Sequence, residues 1–243
     1  MWSILRNHPG YHALWLAALL LVGGCGPIQL VDTRAGSDPT VDPSLRAVRL
    51  DTSGCGFASG RIGSGVAVGD ELILTVAHLV ARADDIEITL TSGDVVNAHV
   101  TAIDLEKDLA LLLVPSTGLD DVSLASARIG TAGFIEGGAA SGTVPFTVRA
   151  AVSLSIEEIL GSDRFTRLGY ELDARTTTGD SGAGVFNTED RLIGLVFATG
   201  KDGAATWATA STEIARFLTR ATSDRSQIRA IACDPALSRL EGL

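Results

Sequence analysis

The sequence has few basic side chains, and those it has are not clustered. It carries 19 Lys and Arg against 29 Asp and Glu, which gives a formal net charge of -10 at neutral pH. Proteins that bind nucleic acid use grouped basic residues to neutralise phosphates. The composition therefore argues against nucleic acid as a partner and against polyanionic ligands in general.

Long apolar runs are also lacking, with one exception near the amino terminus. Arg6 precedes the run Ala13–Val22, which is too short to cross a bilayer comfortably as a permanent helix. A positive flank followed by such a run is typical of an export signal, which we predict for residues 1–24. The run ends in Val22–Cys25, a segment that resembles a bacterial lipobox, so Cys25 is predicted to be lipidated. An ordinary cleaved signal with an incidental cysteine is the alternative.

These features predict an exported protein that is anchored by lipid to the bacterial cell envelope. Gly26 stands where an Asp would favour retention in the inner membrane. The outer membrane or the cell surface is therefore the expected location.

Cysteine is scarce as well, and Cys55 and Cys233 are the two that follow Cys25. No metal-type spacing of Cys and His is present, so no metal site is predicted. In an exported protein such a pair is predicted to form a disulfide, which would stabilise the fold by about 5 kcal/mol in the chain-entropy model. Two buried reduced thiols are the alternative.

Residues 46–235 show the pattern of a folded β domain. Residues 25–45 are rich in Gly, Ser, Asp, Thr and Pro and are predicted to be a flexible tether, and residues 236–243 a tail. Short β-type runs separated by turns predict an all-β domain with one group of strands over about 46–124 and a second over about 125–222. Ser211 or Thr212 is predicted to cap a helix over Glu213–Leu218 within the second group. The predicted strands are Ala67–Val68, Glu71–Thr75, Ile86–Leu90, Val95–Ile103, Gly130–Phe134, Val144–Leu154, Phe165–Leu172, Leu192–Phe197 and Ala204–Ala210.

Three side chains that can build a nucleophilic serine site occur in one chain order. His78 comes first, Asp108 second, and Ser181 third, within Gly179–Gly182. A serine hydroxyl needs an imidazole to take its proton and a carboxylate to orient the imidazole. The order His, Asp, Ser is that of chymotrypsin-like enzymes and differs from the orders in subtilisins and α/β-hydrolases.

Two other residues compete for these roles. His99 lies in an alternating run, where a strand surface position is the simpler explanation. Asp104 is better explained as a turn residue, because Asp108 directly precedes the apolar segment Leu109–Leu112. The predicted catalytic residues are therefore His78, Asp108 and Ser181.

These motifs resemble the trypsin/chymotrypsin-like serine proteases, and most of all the bacterial envelope proteases of the high-temperature-requirement (Deg) type. The resemblance implies two packed six-stranded antiparallel barrels with the active site in the cleft between them. It also implies an endopeptidase that acts on protein or peptide substrates through an acyl-enzyme and needs no cofactor. The matching segments are Gly63–Val66, Leu72–His78, Ile103–Asp104, Asp108–Leu111, Gly179–Gly182 and Leu192–Phe197.

The glycines around Ser181 predict a tight bend that exposes the hydroxyl. The N–H groups of Gly179 and Ser181 are predicted to form an oxyanion hole. In trypsin-like zymogens the Asp before the nucleophile pairs with a newly cut amino terminus, but Arg61–Gly63 is the only segment resembling a cleavage site and it matches the strand before His78. We therefore predict that internal contacts of Asp180 stabilise this loop without proteolytic activation.

The substrate pocket is predicted to involve Arg175, Thr199 and Thr206. Arg175 inside the pocket would favour an acidic substrate side chain, whereas Arg175 in solvent would leave a pocket suited to small or medium apolar side chains. An unpaired buried guanidinium is costly, which favours the second alternative.

Two other functions compete with the endopeptidase. A catalytically latent, protease-like interaction module would not need the intact set of three residues, and an esterase would use the same set but fits their order poorly. No recognisable peptide-binding module follows the domain, which sets the chain apart from multidomain Deg proteases. The sequence does not predict the oligomeric state.

Overall fold

The computed structural model describes residues 46–54, 60–115, 117–119, 121–139, 141–157, 164–200, 203 and 205–223. All of them belong to one unit of the chain, residues 40–243. The predicted signal peptide, tether and tail, and with them Cys25, Cys55 and Cys233, lie outside the described residues.

The first half of the domain forms an antiparallel sheet in the order β5-β4-β1-β2-β3-β7-β6. Its two end strands, β5 and β6, are consecutive in the chain and are separated by Ala98 alone. The N–H of buried Ala98 donates to the carbonyl of Ile86 at 2.9 Å, so the chain bends there from pairing with β4 to pairing with β7. One bent segment therefore joins the two ends of the sheet and makes a ring of six continuous segments. The strands are β1 (Ala47–Ser53), β2 (Arg61–Gly69), β3 (Leu72–Thr75), β4 (Asp85–Thr89), β5 (Val95–Asn97), β6 (His99–Asp104) and β7 (Leu109–Leu113).

The second half forms a closed barrel of six strands in the order β10-β13-β12-β11-β8-β9. Every neighbouring pair is antiparallel. Closure leaves no unpaired sheet edge, which is a common solution for antiparallel sheets. The strands are β8 (Ala132–Glu136), β9 (Thr143–Glu157), β10 (Arg164–Asp173), β11 (Gly184–Asn187), β12 (Leu192–Thr199) and β13 (Thr206–Ala210).

Two helices complete the described structure. The short helix α1 (Ala77–Val80) follows β3, and α2 (Ser211–Ser223) follows β13. Ile214 and Phe217 of α2 are buried in the same apolar cluster as the interior of the first sheet. Among the described residues, no helix is long and apolar enough to cross a membrane.

The all-β class, the two six-stranded barrels and the carboxy-terminal helix were predicted, and the structure confirms them. The predicted hairpin at Ser92–Asp94 joins β4 to β5, and the predicted turn at Thr188–Asp190 joins β11 to β12. The helix spans Ser211–Ser223, so it begins before and ends after the predicted range Glu213–Leu218 and includes the residues predicted to cap it. The barrel ranges and the outer domain boundaries remain predictions.

Candidate active site

His78 lies in α1, which follows β3 after Val76. Val76, the residue before the helix, has no side chain that can cap the first free N–H groups. Asp108 supplies the cap instead, because its Oδ1 accepts the backbone N–H of His78 at 2.8 Å. The same contact fixes the backbone position from which the imidazole projects. The His78 side chain is 28% exposed.

The Asp108 side chain holds the imidazole as well as the backbone of His78. Its Oδ2 lies 2.9 Å from Nδ1 of the ring, and the carboxylate is buried. An ionised carboxylate can only accept a hydrogen bond, so Nδ1 carries the proton and Nε2 remains as an acceptor. This is the tautomer that a general base toward a serine hydroxyl requires.

Asp108 adopts a left-handed backbone conformation with φ of 56°. Asp tolerates that region better than most non-glycine residues. The preceding turn is held by Asp104, whose Oδ1 accepts the N–H of Lys107 at 2.9 Å and whose Oδ2 pairs with Arg220 at 2.7 Å. Asp108 therefore contacts His78, whereas Asp104, the last residue of β6, holds the turn between the two through its side chain.

His99 does not contribute to this cluster. It opens β6, is exposed, and its strand position is opposite Leu113 of β7. His99 therefore lies on the strand surface, as the sequence predicts.

Ser181 lies in a tight loop between β10 and β11. Gly179 and Gly182 have φ of 101° and 86°. Within the described part of the chain, the N–H groups of Gly179 and Ser181 have no hydrogen-bond acceptor, whereas the N–H of Gly182 donates to Val196 at 2.8 Å. Two unpaired N–H groups beside a serine are what an oxyanion hole needs.

Ser64 of β2 connects this loop to the first sheet, a role that sequence reasoning missed. Its N–H donates to the carbonyl of Ser181 at 2.7 Å, and its hydroxyl donates to the carbonyl of Gly179 at 2.9 Å. The same hydroxyl accepts the N–H of Gly138 at 3.1 Å, and Ser64 is fully buried. Gly63–Val66 matched the family pattern, and that match was the available signal.

Gly63 lies against both Leu79, the residue after His78, and the backbone of Ser181. A Cβ on Gly63 would lie 2.1 Å from Cδ1 of Leu79 and 3.1 Å from the carbonyl oxygen of Ser181. In the described contacts, the Ser181 hydroxyl makes no hydrogen bond with His78. Such bonds are often long in free enzymes and tighten only when substrate binds. The structure thus brings His78 and Asp108 into direct contact and carries the Ser181 loop alongside them.

Asp180 is almost completely buried and is held by neighbouring polar groups. Its carboxylate accepts the N–H of Thr177 at 2.7 Å, the N–H of Ser141 at 3.1 Å, and the hydroxyl of Ser141. A buried carboxylate needs such donors to offset its loss of hydration. These contacts are internal to the chain and agree with the loop stabilisation expected from the sequence.

Arg167 of β10 is a second residue that sequence reasoning missed. Its side chain is only 3% exposed, and Nη1 lies 3.4 Å from Oδ2 of Asp108. Burial lowers the pKa of the guanidinium, while the charges of Asp108 and Asp104 act in the opposite direction. Arginine remains protonated in proteins despite such shifts, so a positive charge is buried beside Asp108.

The predicted pocket residues divide into two groups. Arg175 is exposed. Thr199 and Thr206 belong to one hydroxyl cluster around Thr176, whose Oγ1 lies 2.6 Å and 2.8 Å from theirs. Thr206 also donates to the carbonyl of Ala174 at 3.1 Å, and Thr176 was not predicted.

Comparison with known families and proteins gives a consistent result. Residues 63–195, more than half of the chain, match the trypsin-like peptidase domain. The serine protease Rv3671c of Mycobacterium tuberculosis is 30% identical over 191 residues, which cover 74% of this chain and 47% of that protein. The serine endoprotease DegS of Haemophilus influenzae is 31% identical over 140 residues, or 55% of this chain and 40% of that protein. The chain thus spans about half the length of the curated relatives it matches.

The fold is also found among solved structures. The crystal structure of the active form of the Rv3671c protease from M. tuberculosis superposes with a TM-score of 0.72 at 22% identity. The superposition covers 89% of this chain and 99% of that chain. The two-barrel architecture is therefore shared.

Proposed function

The chain belongs to the trypsin-like peptidase family, and from this premise we propose that it is a serine endopeptidase whose nucleophile is Ser181. The observation that carries the proposal is the contact between Asp108 and His78, with the Ser181 loop bound to the strand beside them. His78 Nδ1 and Asp108 Oδ2 are 2.9 Å apart. The N–H of Ser64 donates to the carbonyl of Ser181 at 2.7 Å.

In the proposed reaction, Ser181 attacks the carbonyl carbon of a peptide bond while His78 Nε2 takes the hydroxyl proton. Asp108 keeps the ring in the required tautomer and stabilises the imidazolium that forms. His78 then gives the proton to the leaving amine, and water hydrolyses the acyl-enzyme with the same base. The proposed chemistry calls for groups of the protein and water and for no cofactor.

The N–H groups of Gly179 and Ser181 are proposed to bind the oxyanion of the tetrahedral intermediate. Their lack of acceptors in the described structure supports this role. Donors of this kind are worth about 3 to 4 kcal/mol of transition-state stabilisation each. Because the Asp180 contacts already hold the loop, we propose that no proteolytic activation is needed.

We further propose that the substrate pocket accepts small or medium uncharged side chains. Arg175 is exposed and does not bring a positive charge into the threonine cluster. The hydroxyls of Thr176, Thr199 and Thr206 are hydrogen-bonded within the chain, so this cluster presents no charge to a substrate side chain. Substrates are proposed to be exported or envelope proteins.

The location is proposed from the sequence and from a relative's name. One relative, from Halomonas elongata, is named a probable periplasmic serine endoprotease and is 28% identical over 139 residues. With the predicted signal at residues 1–24, this supports export and lipid anchoring at Cys25. A Cys25→Ser variant that still incorporates labelled palmitate would contradict the anchor.

The catalytic proposal is tested by comparing two Asp variants of the purified domain on an unfolded protein substrate. Asp108→Asn should lower kcat about 10⁴-fold, because the amide can hold the wrong imidazole tautomer. Ser181→Ala should lower kcat about 10⁶-fold. Asp104→Asn is the matched control, since it lies in the same turn but does not touch His78.

Equal kcat values for the two Asn variants would overturn the role of Asp108. Turnover that survives Ser181→Ala would overturn the proposed nucleophile. A well-folded wild-type domain without peptidase activity would favour the latent interaction module instead.

A further inference from the structure

Arg167 reaches from the second barrel into the turn that precedes Asp108 in the first. It lies on β10, and its guanidinium binds three acceptors of one turn. Nε donates to the carbonyl of Glu106 at 2.7 Å, and Nη2 donates to the carbonyl of Leu105 at 3.3 Å. Nη1 reaches Oδ2 of Asp108 at 3.4 Å. Three donors of one rigid fork therefore fix two carbonyls and the carboxylate together.

The guanidinium of Arg167 is buried and hydrogen-bonded to its surroundings, unlike that of a surface arginine. The side chain is almost fully buried, and its Cζ lies 5.7 Å from the centre of the Phe197 ring. A buried charge is costly unless it is paired and hydrogen-bonded. Here both conditions are met by the turn that carries Asp108.

Resting on the proposed function above, we propose that Arg167 is a positioning residue for catalysis, which holds Asp108 in its left-handed conformation and aims its carboxylate at His78. Asp108 has φ of 56°, and strained backbone persists only where surrounding contacts over-determine it. The two carbonyl contacts of Arg167 supply such a constraint immediately before Asp108. The planar fork suits this task, whereas a lysine ammonium does not.

Arg167 also sets the charge balance of the cluster. Its positive charge lies 3.4 Å from Oδ2 of Asp108 and offsets part of the negative charge of that carboxylate. The other charged groups near the turn are more distant or engaged elsewhere. Arg61 donates to the carbonyl of His78, Lys107 Nζ donates to the carbonyl of Thr166 at 2.7 Å, and Asp104 pairs with Arg220. Glu106 is exposed.

The test compares Arg167→Met and Arg167→Lys in the purified domain, with rates normalised to active sites by fluorophosphonate titration. Arg167→Met should lower kcat about 100-fold with little change in KM, because a misplaced base slows the reaction without weakening substrate binding. Arg167→Lys should also lower kcat, because the planar fork that binds the turn is gone.

Arg220→Met is the matched control, because Arg220, on α2, binds Asp104 at the start of the same turn. Arg220 pairs with Asp104 at an exposed position, where its side chain is 64% exposed, and does not touch Asp108. Its kcat and KM should stay at the wild-type values.

Arg167 variants with wild-type kcat per titrated site would overturn the inference, since a purely structural arginine changes only the fraction of folded protein. If Arg167→Met does not fold, a fully active Arg167→Lys would overturn the fork's role by itself. An inactive, unlabelled wild-type domain would instead refute the proposed function, which keeps the two failures distinct.

Discussion

At the residue scale, Ser64 is a buried side chain that connects the Ser181 loop to the first sheet. Its N–H and hydroxyl bind the carbonyls of Ser181 and Gly179, and its own carbonyl accepts the Thr75 hydroxyl at 2.8 Å. All its polar atoms are therefore used inside a buried region. Gly182 must pass close by, since a Cβ there would lie 1.9 Å from the Ser64 carbonyl oxygen and φ is positive.

Replacing Ser64 by Ala should destabilise the domain and reduce its activity. The change leaves the Gly138 N–H and the Gly179 carbonyl without their partner, which should lower the free energy of unfolding by about 1 to 3 kcal/mol. Urea unfolding of the domain measures the loss. Ser92→Ala is the control, because the Ser92 hydroxyl binds Asp94 at an exposed position and should change stability by less than about 0.5 kcal/mol. Equal effects of the two variants would contradict the role given to Ser64.

Single residues also show what sequence reasoning can and cannot reach. His78, Asp108 and Ser181 could be selected because each belongs to a local motif with a chemical meaning. Arg167 could not, because its acceptors lie 59 to 62 residues away on the other barrel. The sequence offers no local signal either, because an Arg next to a Leu in a strand is expected to be the exposed one, whereas Arg167 is buried and Leu168 is 41% exposed.

At the element scale, α2 belongs to the core and is more than a terminal appendage. Ser211 donates to the carbonyl of Ala125 at 2.6 Å, and Ile214 and Phe217 are buried. Their apolar cluster includes Leu109 and Leu112 of β7, the strand that follows Asp108. The helix thus supports the sheet that carries half of the proposed active site.

Truncating Phe217 to Ala should lower the free energy of unfolding by about 3 to 5 kcal/mol, through lost apolar burial and the cavity that remains. Thermal or urea unfolding of the purified domain measures it. Arg216→Ala on the same helix is the control, since its pair with Glu213 is exposed on the Arg216 side and should be worth less than about 1 kcal/mol. A Phe217→Ala domain as stable as the control would show that α2 is dispensable for the fold.

Elements differ in how far the sequence predicts them. Alternating apolar residues locate most strands, and the predicted run Val95–Ile103 corresponds to β5 and β6. Periodicity does not reveal that the run bends at Ala98 to close the first ring, because the bend depends on a hydrogen bond to Ile86 in another strand. Helix α1 is a single turn, too short to produce a helical pattern.

At the scale of the whole molecule, the site exists only because the two barrels are docked. His78, Asp108 and Ser64 come from the first sheet, whereas Ser181 and Arg167 come from the second half of the domain. The contacts from Ser64 to Ser181 and from Arg167 to Asp108 cross between the halves. Strand patterns could predict two groups of strands, and the family resemblance supplied their arrangement.

The most direct test of the proposed active site is fluorophosphonate labelling of the purified domain, with mass spectrometry of the intact protein and of its peptides. A fluorophosphonate reacts with a serine that a neighbouring base activates. We expect one adduct per chain, located on Ser181, with the bond between Arg61 and Ile62 intact and with no labelling of a folded His78→Ala variant. No adduct on the folded wild-type domain, or an adduct on another serine, would contradict the account.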